Sequence, residues 1–211
     1  RLIDAIAEGT SEEKFIDQVY ALNPDLMVVE TSSVSLNNDL ILINKINSDI
    51  PVVLCGPDVN IRKKEFLKEN KRVSFVLSGE YEYILLDLAA ALRDKLSLIN
   101  ITGLNFRNND GEIIINPDRA LINNLDILPW PLREQLPMHK YNDTPGGIPR
   151  PSVQMLSSRG CPYNCKFCLW PQVMYNGRNY RLRLPKDVVD EMEYLVNIRG
   201  FQSIYFDDDT F

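Results

Sequence analysis

The sequence lacks several features that would indicate other classes of protein. Its 211 residues include one histidine, four cysteines and two tryptophans. No apolar run approaches the roughly 18 residues of a membrane-spanning helix. The opening RLIDAIAEGT carries acids where a signal peptide carries a basic stretch and an apolar core. We therefore expect no membrane span and no secretion, and instead a cytoplasmic protein.

The sequence also lacks an excess of basic over acidic residues. The formal net charge is -6, whereas a general nucleic-acid-binding protein has a basic surface. The charge is uneven, because residues 1–128 hold 13 Lys/Arg against 20 Asp/Glu and residues 129–211 hold 10 against 9. An acid-free stretch in the second part indicates either a solvated face or a pocket for an anionic ligand. Its basic residues are Arg159, Lys166, Arg178, Arg181 and Arg183.

Hydrophobic residues make up 45% of the chain and charged residues 25%, as in an ordinary globular protein. Three short apolar runs, residues 26–30, 51–55 and 73–77, are typical of buried parallel strands. Helical patterns alternate with them. This order predicts an α/β fold with a doubly wound, Rossmann-like parallel sheet over residues 1–98. The predicted helices cover residues 11–22, 37–47, 60–69 and 80–95, and LIDAIAEG is expected to be the end of a further strand.

The pattern changes after residue 98. ITGLNF and EIIIN flank an Asp-Gly turn signal, which predicts a hairpin. Six of the 13 prolines then follow between Pro129 and Pro151, so residues 99–151 are expected to be a hairpin and a connector. Residues 152–211 predict a strand at 152–157, a long loop at 159–183, a helix at 186–199 and a strand at 202–206. This is a βαβ unit.

Three of the four cysteines form the pattern Cys-x3-Cys-x2-Cys, at Cys161, Cys165 and Cys168. Three clustered thiols in a reducing compartment fit disulfides poorly. Zinc would need a fourth ligand nearby, but His139 lies in the connector and Cys55 in a buried strand. Three thiolates with one open position suit an iron–sulfur cluster.

The segment CPYNCKFC resembles the signature of the radical S-adenosylmethionine enzymes, in which an aromatic residue, here Phe167, precedes the third cysteine. The resemblance implies that the three cysteines hold a 4Fe-4S cluster and that Phe167 lies beside S-adenosylmethionine. The fourth iron would chelate S-adenosylmethionine, whose reductive cleavage gives a 5'-deoxyadenosyl radical. It also implies that residues 152–211 begin a partial (β/α) barrel with its site at the carboxyl ends of the strands.

The first part is similar to the cobalamin-binding domain of one branch of this family. The likeness lies in PDLMVVETSS, PVVLCGPD, LSGEYEYILLDLAAAL, GLNFRNNDGEIIINP and the connector LDILPWP. It implies that cobalamin lies at strand ends, where doubly wound sheets bind ligands. The implied residues are Thr31, Ser32, Ser33, Gly56, Gly79 and Glu80, with Cys55, Pro57 and Tyr81 beside them. Two departures weaken this likeness: Asp-x-His-x-x-Gly is absent, and the family's Gly-Gly-Pro-His appears as CGPD.

The resemblance implies methyl transfer, rearrangement or cyclisation at an unactivated carbon of a small molecule, with an electron donor such as flavodoxin or ferredoxin.

The segment CLWPQ is similar to the same segment in a subgroup of this family, which includes hopanoid-associated enzymes and magnesium-protoporphyrin ester cyclases. Trp170, Tyr175 and Tyr180 either line a substrate entrance or pack the loop, and Asp207–Asp209 either bind ligand or form a solvated turn. A methylthiotransferase and a non-catalytic metal-binding module remain alternatives. The chain is expected to be a fragment that is inactive alone, and the catalytic residues cannot be read from it.

Overall fold

The computed structural model describes residues 1–142 and 144–211. The chain divides into two compact units. The first, called the α/β unit, comprises Ile16–Ile122 and Asn164–Gly177. The other, called the βαβ unit, comprises Arg1–Phe15, Asn123–Tyr163 and Arg178–Phe211.

The α/β unit is built on a five-stranded sheet in the order β1-β2-β3-β4-β5. The first three strands pair in parallel, with Val53 opposite both Val28 and Phe75. The hairpin β4–β5 joins the edge of β3 antiparallel, so that Phe75 also faces Phe106. The α/β fold class predicted from the sequence is confirmed, and the hairpin makes the sheet mixed. The strands are β1 (Met27–Glu30), β2 (Val52–Cys55), β3 (Phe75–Leu77), β4 (Leu104–Arg107) and β5 (Ile113–Ile115).

Helices cover both faces of this sheet, because successive strand residues point to opposite sides. Val52 and Leu54 pack in one cluster with residues of α3, α4 and α5, and Val53 and Cys55 pack in another with residues of α6. The central strands β2 and β3 are therefore buried on both sides, as their continuous apolar sequences require. The helices in this part of the chain are α2 (Glu12–Leu22), α3 (Leu36–Lys45), α4 (Pro57–Ile61), α5 (Lys63–Glu69) and α6 (Glu82–Asp94), while α1 (Ala5–Glu8) belongs to the βαβ unit.

The βαβ unit contains the predicted parallel pair. Strand β6 (Ser152–Met155) runs parallel to β9 (Ser203–Phe206), and helix α8 (Pro185–Glu193) connects them through a π-helical turn at Tyr194–Ile198. Val153 and Met155 pack against α8 and the turn, together with Val188 and Leu195. Along β6, buried apolar residues alternate with more exposed polar ones, and this alternation determines which face of the strand packs against α8.

Three local expectations were wrong. The segment LIDAIAEG forms α1, because the Asp4 side chain caps the Ala7 N–H and Gly9 ends the helix in a left-handed conformation. The helix expected at 60–69 is two helices that meet at Arg62. The expected loop at 159–183 contains β7 (Ser158–Cys161), α7 (Leu169–Met174) and β8 (Asn179–Leu182).

Strands β7 and β8 pair antiparallel over their full length. In β7 (SRGC) there is no apolar alternation, so the sequence pattern did not reveal it. In β8, Tyr180 and Leu182 alternate with Asn179 and Arg181, a strand signal that the sequence interpretation missed. Among the residues described, no helix has the length and apolar character to span a membrane.

Candidate functional site

Two chain segments meet closely at the carboxyl ends of β1 and β2. The Thr31 N–H donates to the carbonyl of Cys55 at 2.9 Å. The next residue, Gly56, has φ 128°, and a Cβ atom there would lie 2.0 Å from the Thr31 carbonyl oxygen. Only glycine fits this position, because any side chain would overlap the neighbouring backbone.

The three hydroxyl residues after β1 have different surroundings. Thr31 is 2% exposed and its hydroxyl donates to Asp39 Oδ2 at 2.7 Å. Ser32 is exposed and its Oγ lies 3.1 Å from the hydroxyl of Ser35, while Ser33 is exposed. The Thr31 hydroxyl therefore anchors the loop, and Ser32 and Ser33 are the hydroxyls that face solvent.

Gly79 and Glu80 follow β3. Gly79 has φ 74°, in the left-handed region that favours glycine. Glu80 is 8% exposed, and its carboxylate accepts the Ile122 N–H at 2.7 Å. Glu80 therefore fixes the chain leaving the hairpin, a role that the sequence pattern did not reveal.

Two titratable groups lie at the same end of the sheet, Cys55, which is buried, and Tyr81, which is partly buried. Burial raises the pKa of the Cys55 thiol to about 12, with Glu30 and Glu82 adding to the effect. Burial also raises the pKa of Tyr81 far above its ordinary value, assisted by Glu30 and Cys55. Both groups are therefore neutral at ordinary pH. For Cys55 this agrees with the sequence interpretation of a small buried hydrophobe.

All four cysteines are free thiols. Cys161 ends β7, and its Sγ lies 2.9 Å from Thr210 Oγ1. Cys165 and Cys168 belong to the α/β unit and are joined by a turn, in which the Cys168 N–H donates to the Cys165 carbonyl at 3.1 Å. Phe167, between them, is 91% exposed.

Within residues 1–142 and 144–211, no group of three or more His, Cys, Asp or Glu side chains is already arranged to hold a metal ion. The donor chemistry nevertheless fits an iron–sulfur cluster, since three thiols stand at the signature spacing and none of them forms a disulfide. The three cysteines are therefore the residues that could hold the cluster.

The aromatic side chains near the cysteines differ in how far they are exposed to solvent. Tyr175, directly after α7, is 8% exposed and packs the loop, whereas Tyr180 on β8 is 39% exposed. Trp170 on α7 is half-buried. The Tyr180 hydroxyl donates to the Thr210 carbonyl at 3.3 Å.

The acid-free stretch does not form one uniform face. Arg159 and Arg181 are directly opposite each other on β7 and β8. Arg183 instead forms ion pairs with Asp187 and Glu191, each at 2.6 Å. Of the basic residues in this stretch, at least Arg183 therefore stabilises the fold and does not bind a ligand.

Glu191 lies at the centre of a buried charge network that sequence reasoning missed. Its side chain is 1% exposed and pairs with Arg133 of the connector at 2.7 Å as well as with Arg183. Arg133 also donates to the Gln154 carbonyl at 2.9 Å. The acid of α8 thus fastens the connector to this helix within the βαβ unit. Its sequence signal was weak, because charged residues on a helix are usually solvated.

A cavity of about 260 Å³ opens in the βαβ unit at the carboxyl ends of β6 and β9. Its lining includes Trp130, Arg159, Arg183, Glu191 and Asp207. The carboxyl ends of barrel strands are where such folds place their chemistry. This cavity is therefore a candidate ligand site, and part of its lining, Ser158 and Arg159, comes from β7, the strand that ends in Cys161.

The acidic run after β9 makes defined contacts. The Asp208 carboxylate accepts the Ser157 N–H at 3.1 Å, and Asp209 accepts the Gly160 N–H at 3.1 Å. The pKa of Asp209 is raised, mainly by partial burial and further by Asp208 and Asp207, while the Gly160 hydrogen bond opposes the shift. Two of the three acids therefore brace β7 and the chain before it.

No protein-family model matches the chain. Among curated proteins, an uncharacterized methyltransferase of Pyrococcus horikoshii is 32% identical over 215 residues, which cover 100% of this chain and 45% of that protein. An anaerobic magnesium-protoporphyrin IX monomethyl ester cyclase of Rubrivivax gelatinosus is 28% identical, over 92% of this chain and 35% of that protein. The hopanoid C-2 methylase of Rhodopseudomonas palustris is 45% identical over 56 residues, 26% of this chain and 10% of that protein.

The chain thus spans less than half the length of these relatives. Among solved structures, the cobalamin-dependent S-adenosylmethionine radical enzyme OxsB superposes with a TM-score of 0.77 and 20% identity, covering 99% of this chain and 28% of that one. The radical S-adenosylmethionine methyltransferase TsrM of Kitasatospora setae gives 0.70 and 20%, covering 98% and 41%. These structural matches show a shared fold. The resemblance expected from the sequence is therefore confirmed: over its whole length, the chain is similar to radical S-adenosylmethionine enzymes of the cobalamin-binding branch.

Proposed function

We propose that the full-length protein is a radical S-adenosylmethionine enzyme that transfers a methyl group to, rearranges or cyclises an unactivated carbon of a small molecule. The observation that carries this proposal is a Cys-x3-Cys-x2-Cys triad without a disulfide, in a chain that is similar throughout to such enzymes. The bound cluster would supply one electron to cleave S-adenosylmethionine and so provide the radical that abstracts hydrogen.

In this proposal Cys161, Cys165 and Cys168 hold the 4Fe-4S cluster. Phe167 is exposed on the turn between the second and third cysteines, where it can cover bound S-adenosylmethionine. The cavity at the ends of β6 and β9 would receive part of the ligand, and Arg159 would attract its anionic groups.

Cobalamin is proposed at the carboxyl edge of the α/β unit. Gly79 offers backbone without a side chain at this edge, Gly56 lets the Thr31 loop approach closely, and Ser32 and Ser33 offer exposed hydroxyls. Thr31 and Glu80 support the two loops from within, through Asp39 and Ile122. The fit follows the rule that ligands bind at the carboxyl ends of parallel strands.

The cellular setting follows from the same chemistry. We propose a cytoplasmic enzyme, because its thiols must stay reduced. It would take electrons from a flavodoxin or ferredoxin and would not act on nucleic acid, since its net charge is -6. The domain division proposed is residues 1–98, 99–151 and 152–211.

Metal analysis of the full-length protein, expressed without oxygen, tests the cluster. We expect about four irons and matching sulfide per chain, lost in Cys165→Ala and kept in the matched control Cys55→Ala. Zinc in place of iron would contradict the proposal and favour a non-catalytic metal-binding module.

Reconstitution with cobalamin tests the second cofactor separately. We expect a corrin absorption spectrum to remain with the full-length protein after gel filtration, including in Cys165→Ala, because the two sites use different residues. A protein that binds the cluster but retains no corrin would remove cobalamin from the proposal.

A further inference from the structure

The segment that follows β9 runs alongside β7 and the residue before it. The Asp208 carboxylate accepts the Ser157 N–H at 3.1 Å and the Ser157 hydroxyl at 2.9 Å, and it also accepts the hydroxyl of Ser158. Three donors on one carboxylate fix its position and that of the start of β7. The β9 tail, Asp208–Thr210, is thus tied to the strand that ends in Cys161.

Two further hydrogen bonds fix the end of this tail. Asp209 accepts the Gly160 N–H at 3.1 Å, and the Tyr180 hydroxyl donates to the Thr210 carbonyl at 3.3 Å. Gly160 and Tyr180 are paired across β7 and β8. Strands β7 and β8 therefore both hold this tail in place.

The Thr210 hydroxyl stands between two acceptors. Its Oγ1 lies 2.9 Å from Cys161 Sγ and 2.8 Å from the Asp209 carbonyl oxygen. A hydroxyl has one hydrogen. With a free thiol both contacts are satisfied, because the S–H can donate to Oγ1 while the hydroxyl donates to the carbonyl.

An iron-bound cysteine changes this pairing. A metal-bound cysteine is a thiolate and has no hydrogen to donate. The contact at Cys161 then persists only if the Thr210 hydroxyl turns and donates to the sulfur. The rotation needs no backbone movement, since hydroxyl hydrogens rotate to suit their acceptors.

We propose that Thr210 is a positioning residue that donates a hydrogen bond to the Cys161 thiolate and raises the reduction potential of the cluster. The inference rests on the proposed function. Hydrogen bonds to ligating sulfurs stabilise negative charge on them, and the reduced cluster carries one more negative charge than the oxidised one. Losing the donor therefore disfavours reduction.

The midpoint potential of the reconstituted cluster tests this role without measuring turnover. In the full-length protein, we expect Thr210→Val to lower the potential, followed by electron paramagnetic resonance during a redox titration. Thr210→Ser should restore the wild-type potential, because it keeps the hydroxyl. The matched control Thr102→Val, in the α/β unit, should leave the potential unchanged.

Each result decides the question. A potential in Thr210→Val equal to the wild type would refute the hydrogen bond while leaving the cluster itself established. Loss of the cluster in Thr210→Val but not in Thr210→Ser supports the hydrogen bond. Loss of the cluster in both variants overturns it, because Thr210 then acts only by packing. A wild-type protein that binds no iron defeats the proposed function as well.

Discussion

Glycine is required at position 56, where the loop after β2 lies against the loop after β1. Replacing it with alanine would place Cβ 2.0 Å from the Thr31 carbonyl oxygen, at a φ of 128°. We expect Gly56→Ala to lower the free energy of unfolding by about 3 kcal/mol or more, since strain and overlap add. Urea unfolding of the purified protein measures this.

The control is Gly111→Ala. Gly111 also has a positive φ, 83°, but nothing lies within 4 Å of its Cβ position. We expect this variant to lose only about 1 kcal/mol, the cost of the backbone conformation. Equal losses in the two variants would show that the close approach at Gly56 is unimportant.

Cys55 should make stability fall in alkaline solution. Its pKa is raised to about 12 from the ordinary 9.0 by burial and by nearby Glu30 and Glu82. The folded state therefore favours the neutral thiol. This stabilisation is complete below about pH 9 and is lost as the pH rises towards 12.

Urea unfolding at a series of alkaline pH values measures this effect. We expect the free energy of unfolding to fall less steeply with pH in Cys55→Ala than in the wild type. The exposed thiol variant Cys165→Ala should keep the wild-type slope. Identical slopes in all three proteins would contradict a neutral, buried Cys55 thiol.

Among the elements, α8 depends on one buried acid. Glu191 is 1% exposed and pairs with Arg133 and Arg183. Removing one partner leaves buried charges uncompensated, which costs about 3 to 5 kcal/mol. We therefore expect Glu191→Ala to lower the free energy of unfolding by roughly that amount.

The neighbouring acid on the same helix is the control. Asp190 pairs with Lys186 at 2.6 Å, but the lysine side chain is 84% exposed. Surface ion pairs contribute little, so Asp190→Ala should unfold almost as the wild type does. A Glu191→Ala variant that behaves like Asp190→Ala would show that the buried network is not stabilising.

The helices and strands also show where local patterns suffice. Strands β1, β2 and β3 were predictable, because a sheet covered on both faces needs continuous apolar strands. Strand β7 was not, since Ser158–Cys161 carries little apolar character, and in β8 the short alternation of Tyr180 and Leu182 was missed. Their pairing comes from backbone hydrogen bonds, which leave no pattern in the side chains.

For the molecule as a whole, cluster binding should change which thiols react. In the metal-free protein, we expect iodoacetamide to alkylate Cys165, which is exposed, together with Cys161 and Cys168, which are partly exposed. Loading with iron and sulfide should protect all three, since ligating thiolates are no longer free nucleophiles. Mass spectrometry of the digested protein measures each site.

Cys55 is the internal control, because it is 1% exposed and its pKa is raised. It should react only after unfolding, with or without the metal. If Cys161, Cys165 and Cys168 react equally before and after loading, the three thiols do not share a metal site.

The sequence by itself determined the alternation of strands and helices and the cysteine spacing, because both are written in residues close along the chain. It also determined the resemblance to radical S-adenosylmethionine enzymes, which the comparisons confirm. Only the tertiary structure decided that Glu191 meets Arg133, 58 residues away, and that Thr210 meets Cys161, 49 residues away. Such contacts depend on how distant segments pack, and no local pattern of hydrophobic or charged residues encodes that packing.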